Sequence, residues 1–217
     1  MVLKLYSVRT AGGGCGLVAM TLVEKQLPFE LVVVDMARGD HKTPAYLARH
    51  PFGQVPMLDD DGLVVYESRA ICRYLAEKYA DQGTPLVPTG IPAKALFEQA
   101  ASIEVATFYP LVFKIAMEAV YNPQRSLPVD EAGLAQAKTA LAAKLDVYEV
   151  ILGTQKYLGG NVCLRHDVGS FPDHNRGVRQ VEEIRQGEFL PAGGWWNDIS
   201  SRPSWVQLQA EGIQSVR

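Results

Sequence analysis

Apolar and polar positions change rhythm along the chain, and each change predicts an element. Val2–Ser7 alternates apolar with polar side chains, the period of a short strand. A glycine-rich stretch, Ala11–Gly16, then opens an apolar segment that predicts a helix over Leu17–Lys25. Phe29–Val34 is rich in β-branched residues and nearly unbroken, as expected of a buried central strand. His41–His50 predicts a short helix or turn. Gln54–Asp59 predicts a strand, Asp60-Asp61-Gly62 a tight hairpin turn, and Leu63–Tyr66 the returning strand. Across Glu67–Tyr79, Ala70, Ile71, Tyr74 and Leu75 recur at helical spacing. The predicted order is β-α-β-α-β-β-α.

Pro85, Pro88 and Pro92, with Gly83 and Gly90, mark Gln82–Pro92 as a linker. Beyond it the chain turns alanine-rich with a period near 3.6. Ala93–Tyr121 and Val129–Ile151 are predicted as long helices that pack antiparallel. Leu134, Ala137, Leu141, Leu145 and Tyr148 form the buried stripe of the second. The expected division is an α/β domain over 1–81, a linker over 82–92 and an all-helical domain over 93–217. A parallel strand pair followed by an antiparallel hairpin, covered by helices, is a thioredoxin-like arrangement.

Composition narrows the partners. A formal net charge of -3 leaves no polyanion-binding footprint, so nucleic acid is not expected. No apolar run is read as reaching the roughly 18–20 residues that span a bilayer, so no membrane is expected. The start of the chain lacks the charged-then-apolar layout of a signal peptide. Cys15, Cys72 and Cys163 are too few and scattered for a disulfide framework, which points to a reducing, cytoplasmic setting. Cys72 lies on an apolar helix face and reads as core. His166 and His174 are isolated in a polar stretch, and no metal site is expected.

The run Pro51-Phe52-Gly53-Gln54-Val55-Pro56, then Asp59-Asp60-Asp61-Gly62, then Tyr66-Glu67-Ser68-Arg69-Ala70-Ile71, resembles the glutathione-binding domain of the glutathione transferases. Gly39-Asp40-His41-Lys42 upstream is similar to the phi class of plants and fungi, and Trp195-Trp196-Asn197-Asp198-Ile199-Ser200-Ser201-Arg202-Pro203 extends the likeness over most of the chain. The resemblance implies a thioredoxin-like N-terminal domain joined to an all-α C-terminal domain. It also implies reduced glutathione as cosubstrate, no permanently bound cofactor, a small hydrophobic electrophile as second substrate, and a homodimer with Phe52 as the plug. It implies a cis bond before Pro56, with Val55 presenting its backbone to the cysteinyl part of the tripeptide. Ser68 and the free amides around it would receive the γ-glutamyl carboxylate, although Ser68 also reads as a plain helix cap. Glu67 would pair with the amine, and His41, Lys42 and Gln54 would meet the glycyl end. Tyr109, Phe113, Met117 and Tyr121 are the candidates for the second-substrate pocket; their helical spacing fits core positions equally.

Two stretches depart from the family pattern. A thiol with a pKa near 8.5 must fall by roughly 1.5 units, about 2 kcal/mol, to be half-ionised at pH 7. In phi-like enzymes a serine hydroxyl just before the first helix supplies this, but here that position falls on Ala11 or Gly12. Thr10 could take over the role. The glycine run from Gly12 could form a nest of amides. Cys15 could act as a helix-activated nucleophile in thiol transfer. A binding protein with little catalysis is the fourth reading. Further on, Asn161–Gly194 lacks the capping box and apolar stripe that the resemblance implies. Its length, about that usual in the family the chain resembles, with a foreign pattern reads as a reading-frame excursion. Shifting Val178–Ala192 by one nucleotide permits a family-like helix. As written, the segment is expected to leave Leu134 and Leu141 underpacked.

Overall fold

The computed structural model describes residues 2–159 and 193–216. The chain forms two compact units: Met1–Val87 with Ser201–Arg217, and Pro88–Ser200.

In the first unit β1 (Leu3–Ser7), β2 (Phe29–Val33), β3 (Met57–Asp60) and β4 (Leu63–Tyr66) form one sheet in the order β2-β1-β3-β4. β1 and β2 run parallel, whereas β3 is antiparallel to both β1 and β4. Alternation along β1 sends Leu3 and Leu5 into the core, together with Leu17, Val18 and Leu22 of α1 (Gly13–Glu24) and Ile71 and Leu75 of α3 (Ser68–Lys78). α1 packs directly on α3. Tyr6, on the alternate set, joins Val34, Tyr46 and Met57 in a second cluster. Asp61 and Gly62 both take positive φ, 54° and 93°, so the Asp-Gly pair closes the β3–β4 hairpin with the twist its strands require.

Three local expectations change. The first helix starts at Gly13, four residues before the apolar run. β2 is an edge strand and only partly buried, not a central one. On its outer side Val216 forms an antiparallel bridge to Phe29, with N–H···O distances of 2.8 and 2.9 Å. The strand expected from Gln54 starts at Met57, after the Val55–Pro56 bond, which is cis.

In the second unit one continuous helix runs from Ile91 to Gln124. It comprises α4 (Ile91–Ile103), a π turn over Glu104–Phe108, α5 (Tyr109–Ala116), a second π turn over Met117–Tyr121, and α6 (Asn122–Gln124). Contrary to the sequence reading, this helix holds an 18-residue window apolar enough, by length and composition, to cross a membrane. The protein's own core accounts for part of that character: Phe97, Phe108, Val112 and Ile115 are buried, and α5 packs against α7 (Glu131–Leu152). Phe108 stacks on Tyr148 at 5.2 Å between ring centroids. Leu141 is fully buried and Leu134 half-buried; the segment expected to leave them underpacked lies outside the described residues. Asp130 caps α7 by accepting the Gly133 N–H at 2.9 Å, and Glu118 in turn accepts the Asp130 N–H at 2.9 Å. α8 (Gly193–Ser200) buries Trp195 and Ile199, and Tyr157 donates to Asp198. Asn161–Ala192, including Cys163, His166 and His174, lies outside the described residues.

The segment after α8 was expected to belong with the helical domain but is part of the first unit. α9 (Pro203–Glu211) packs on α1. Arg202 donates Nε and Nη2 to Glu24 at 2.8 and 2.6 Å, and Ser204 and Thr84 hydroxyls donate to the same carboxylate.

Candidate functional site

Three chain segments meet at the start of α1. Gly12 is the N-cap of that helix, in extended conformation and with no side-chain hydrogen bond capping the first turn. Gly13 has φ 54°, which suits a residue without Cβ. A Cβ on Gly14 would lie 2.9 Å from Ser68 Oγ and 3.2 Å from Pro56 Cδ. A Cβ on Gly16 would lie 2.2 Å from the Ala11 carbonyl oxygen. The glycine run is therefore a packing device: it lets the first turn of α1 close against the cis-proline segment and the first turn of α3. Sequence reading treated the run only as an amide nest and missed Gly14, because close approach between distant segments leaves no local signature.

Ser68 is buried as the first residue of α3, so it does not act as the N-cap. That position belongs to Glu67, at φ 69° and ψ 108° with its side chain exposed. A non-glycine residue held there costs about 1–3 kcal/mol, and such residues cluster at binding sites. Pro56 is buried, Val55 half-buried and Gln54 exposed. The Gln54 carbonyl accepts the Tyr46 hydroxyl at 2.7 Å. Burial pushes the Tyr46 phenol up to about 12, with Cys15 adding in the same direction, so the hydroxyl stays a donor.

His41 and Lys42 sit in a 3₁₀ turn over Asp40–Lys42, ahead of α2 (Pro44–Leu47). Lys42 Nζ donates to the Phe52 and Gly53 carbonyls at 3.1 and 2.8 Å while its side chain remains exposed. It thus fastens the turn leading into Gln54–Pro56, a role not visible in the sequence. Behind this turn His50 is buried and stacks on Tyr66 at 4.4 Å. Burial lowers its imidazole pKa; Glu67 opposes that shift and Lys42 adds to it. Phe52 makes edge contacts to His50 and Tyr66 yet keeps 64% of its surface exposed.

Of the candidates for thiol activation, Thr10 is exposed in the bend before α1, and Cys15 is buried at 4% exposure in its first turn. Cys72 is core, with its thiol directed at the Leu17 carbonyl. In the second unit Tyr109 stacks on Phe113 at 5.9 Å. Tyr109, Met117 and Tyr121 are half-buried and Phe113 is exposed, so this row is distinct from the buried Phe108–Val112–Ile115 row of the same helix.

The comparisons with known proteins agree with this arrangement. The family described as glutathione S-transferase, N-terminal domain, matches residues 15–78. Glutathione S-transferase F9 of Arabidopsis thaliana is 37% identical over 214 residues, covering 97% of this chain and 98% of that protein. The crystal structure of glutathione transferase F7 from Populus trichocarpa superposes with a TM-score of 0.85 at 33% identity, covering 98% and 100% of the two chains. Glutathione S-transferase I from maize, solved with an atrazine glutathione conjugate, is 25% identical with a TM-score of 0.80 over 97% of each chain. With near-complete coverage at this identity, the chain belongs to the glutathione S-transferase family, among its F-type, phi-class members.

Proposed function

We propose that the chain conjugates reduced glutathione to hydrophobic electrophiles, holding the tripeptide where α1, the Val55–Pro56 step and α3 converge. The observation that carries this reading is the contact distance at Gly14, which brings Ser68 and Pro56 to the uncapped start of α1. Ser68 and the first amides of α3 receive the γ-glutamyl carboxylate, Glu67 the amine, and the Val55 backbone the cysteinyl unit. His41, Lys42 and Gln54 serve the glycyl end. Tyr109, Phe113 and Met117 offer the apolar surface for the electrophile, as befits a relative of a protein solved with an atrazine conjugate.

Thiol activation falls to the backbone amides that follow Gly12. Cys15 is buried, which disfavours thiol transfer through its sulfur, and Thr10 is exposed. Oriented N–H groups at a helix start stabilise an anion without a side-chain hydroxyl. The setting is cytosolic, a reading supported by Cys15, Cys72 and Cys163 being too few and scattered for a disulfide framework. The assembly is a homodimer in which the exposed Phe52 enters the partner.

The test combines conjugation of a chlorinated dinitroaromatic with titration of the bound thiol. The bound thiol is expected to ionise about 1.5 units below free glutathione. Thr10→Ala and Cys15→Ser are expected to retain that shift and at least half of the conjugation rate. A bound thiol that titrates like the free one overturns the conjugation reading. A shift abolished in either variant returns the role to that side chain.

A further inference from the structure

The loop that leads into α1 is held from behind by a segment some two hundred residues later. The Ile213 N–H donates to the Arg9 carbonyl at 2.7 Å, and Ile213 is 1% exposed. Gly212, which ends α9, has φ 70°, and a Cβ there would lie 2.7 Å from that same carbonyl oxygen. Either side of this contact the segment is anchored. Upstream, α9 is tied to Glu24 at the end of α1 through Arg202 and Ser204. Downstream, the Ser215 hydroxyl accepts the Leu31 N–H at 2.8 Å, and Val216 bridges Phe29. Arg9 is followed by Thr10, Ala11 and Gly12, the residues that set the direction of the first amides of α1.

We infer that Gly212 and Ile213 are positioning residues for glutathione activation: by clamping the Arg9 carbonyl they fix where the β1–α1 loop aims its amides. This rests on the reading that those amides stabilise the thiolate. Neither residue is assigned contact with the tripeptide, so their effect belongs in the thiol's ionisation more than in its affinity. A Cβ at residue 212 meets a backbone oxygen and forbids the observed φ, so the loop must shift. Shortening Ile213 leaves the hydrogen bond but removes its buried anchor. The substitutions leave unchanged the titratable side chains nearest in the chain and at Cys15: Arg9 in the loop, Cys15 on α1 with Tyr46 facing it and Tyr6 against Tyr46, and Glu211 next to Gly212.

The experiment uses the full chain with Gly212→Ala, Ile213→Ala, the conservative Ile213→Val, and Ser215→Ala as a control that loosens the segment away from the loop. The pH dependence of kcat/KM for conjugation, the pKa of the bound thiol, glutathione affinity and thermal stability are measured for each. Gly212→Ala and Ile213→Ala are expected to raise the bound-thiol pKa by about one unit, an approximately tenfold loss of kcat/KM near pH 6.5 that closes at alkaline pH. Affinity should change less than about threefold. Ile213→Val should restore the parent profile, and Ser215→Ala should lower stability without moving it. If Gly212→Ala does not fold, Ile213→Ala and its rescue decide the matter. An unshifted thiol pKa in folded Ile213→Ala, against a lowered one in the parent, overturns this inference alone. A parent whose bound thiol is not lowered overturns the activation reading with it.

Discussion

Alanine at position 14 would place one carbon 2.9–3.0 Å from the Oγ and Cβ of Ser68 and 3.2 Å from Pro56 Cδ. Real Cβ atoms avoid such contacts, so α1 and α3 would have to part by a few tenths of an ångström at the proposed site. Gly14→Ala is expected to lose about 1–2 kcal/mol of stability, an overpacking cost reduced by the better helix propensity of alanine. Glutathione affinity is expected to fall about tenfold or more. Urea unfolding and calorimetric titration read the two effects separately, and unchanged affinity would remove Gly14 from the site. At this scale the sequence was partly legible. Ser68, Glu67 and Pro56 were recognisable from their ordered motif, and the Val55–Pro56 bond is cis as that resemblance implied. The reasons for Gly14, Gly16 and Lys42 were not legible, because each answers a contact with residues that are distant in sequence or on another element.

Among elements, the carboxylate of Glu24 is the main junction of the first unit. It receives hydrogen bonds from Arg202, Ser204 and Thr84, joining the end of α1 to α9 and to the segment after α3. Close by, fully buried Lys25 donates to the Thr84 carbonyl at 3.1 Å. Burial alone raises the Glu24 carboxyl pKa, but the bonds from Arg202, Ser204 and Thr84 outweigh it and leave it below the ordinary value. A depressed folded pKa means stability that is fully present above the unfolded value, near 4.3, and lost as pH falls through the folded one. Glu24→Gln is expected to cost about 2–3 kcal/mol at pH 7 and to flatten the acid side of the stability profile. Equal acid sensitivity of variant and parent in denaturant melts would refute this. Periodicity announced α1, α3, α7 and the hairpin. It could not place β2 at the edge, because an apolar run does not show how many neighbouring strands pair with it.

For the whole molecule, the exposed Phe52 sets the expected association. Its ring leans on His50 and Tyr66, the turn below is pinned by Lys42, and the side chain stands exposed. Phe52→Glu is expected to convert the proposed dimer to monomers in sedimentation, with little change in the unfolding of the monomer. A variant that stays dimeric would take Phe52 out of the interface. The division into two units was visible in the proline-glycine linker and the change of rhythm after it. That residues beyond Ser200 return to the first unit was not, since α9 reads locally like any other helix of the second half.

That return has a consequence for synthesis. On the ribosome, the strand-bearing unit emerges first, yet its outermost pairing and the support behind Arg9 are supplied by residues 212–216, made after the helical unit. Until they leave the exit tunnel, the nascent β2 keeps an open hydrogen-bonding edge, and the helical unit has the chance to fold ahead of the unit that precedes it.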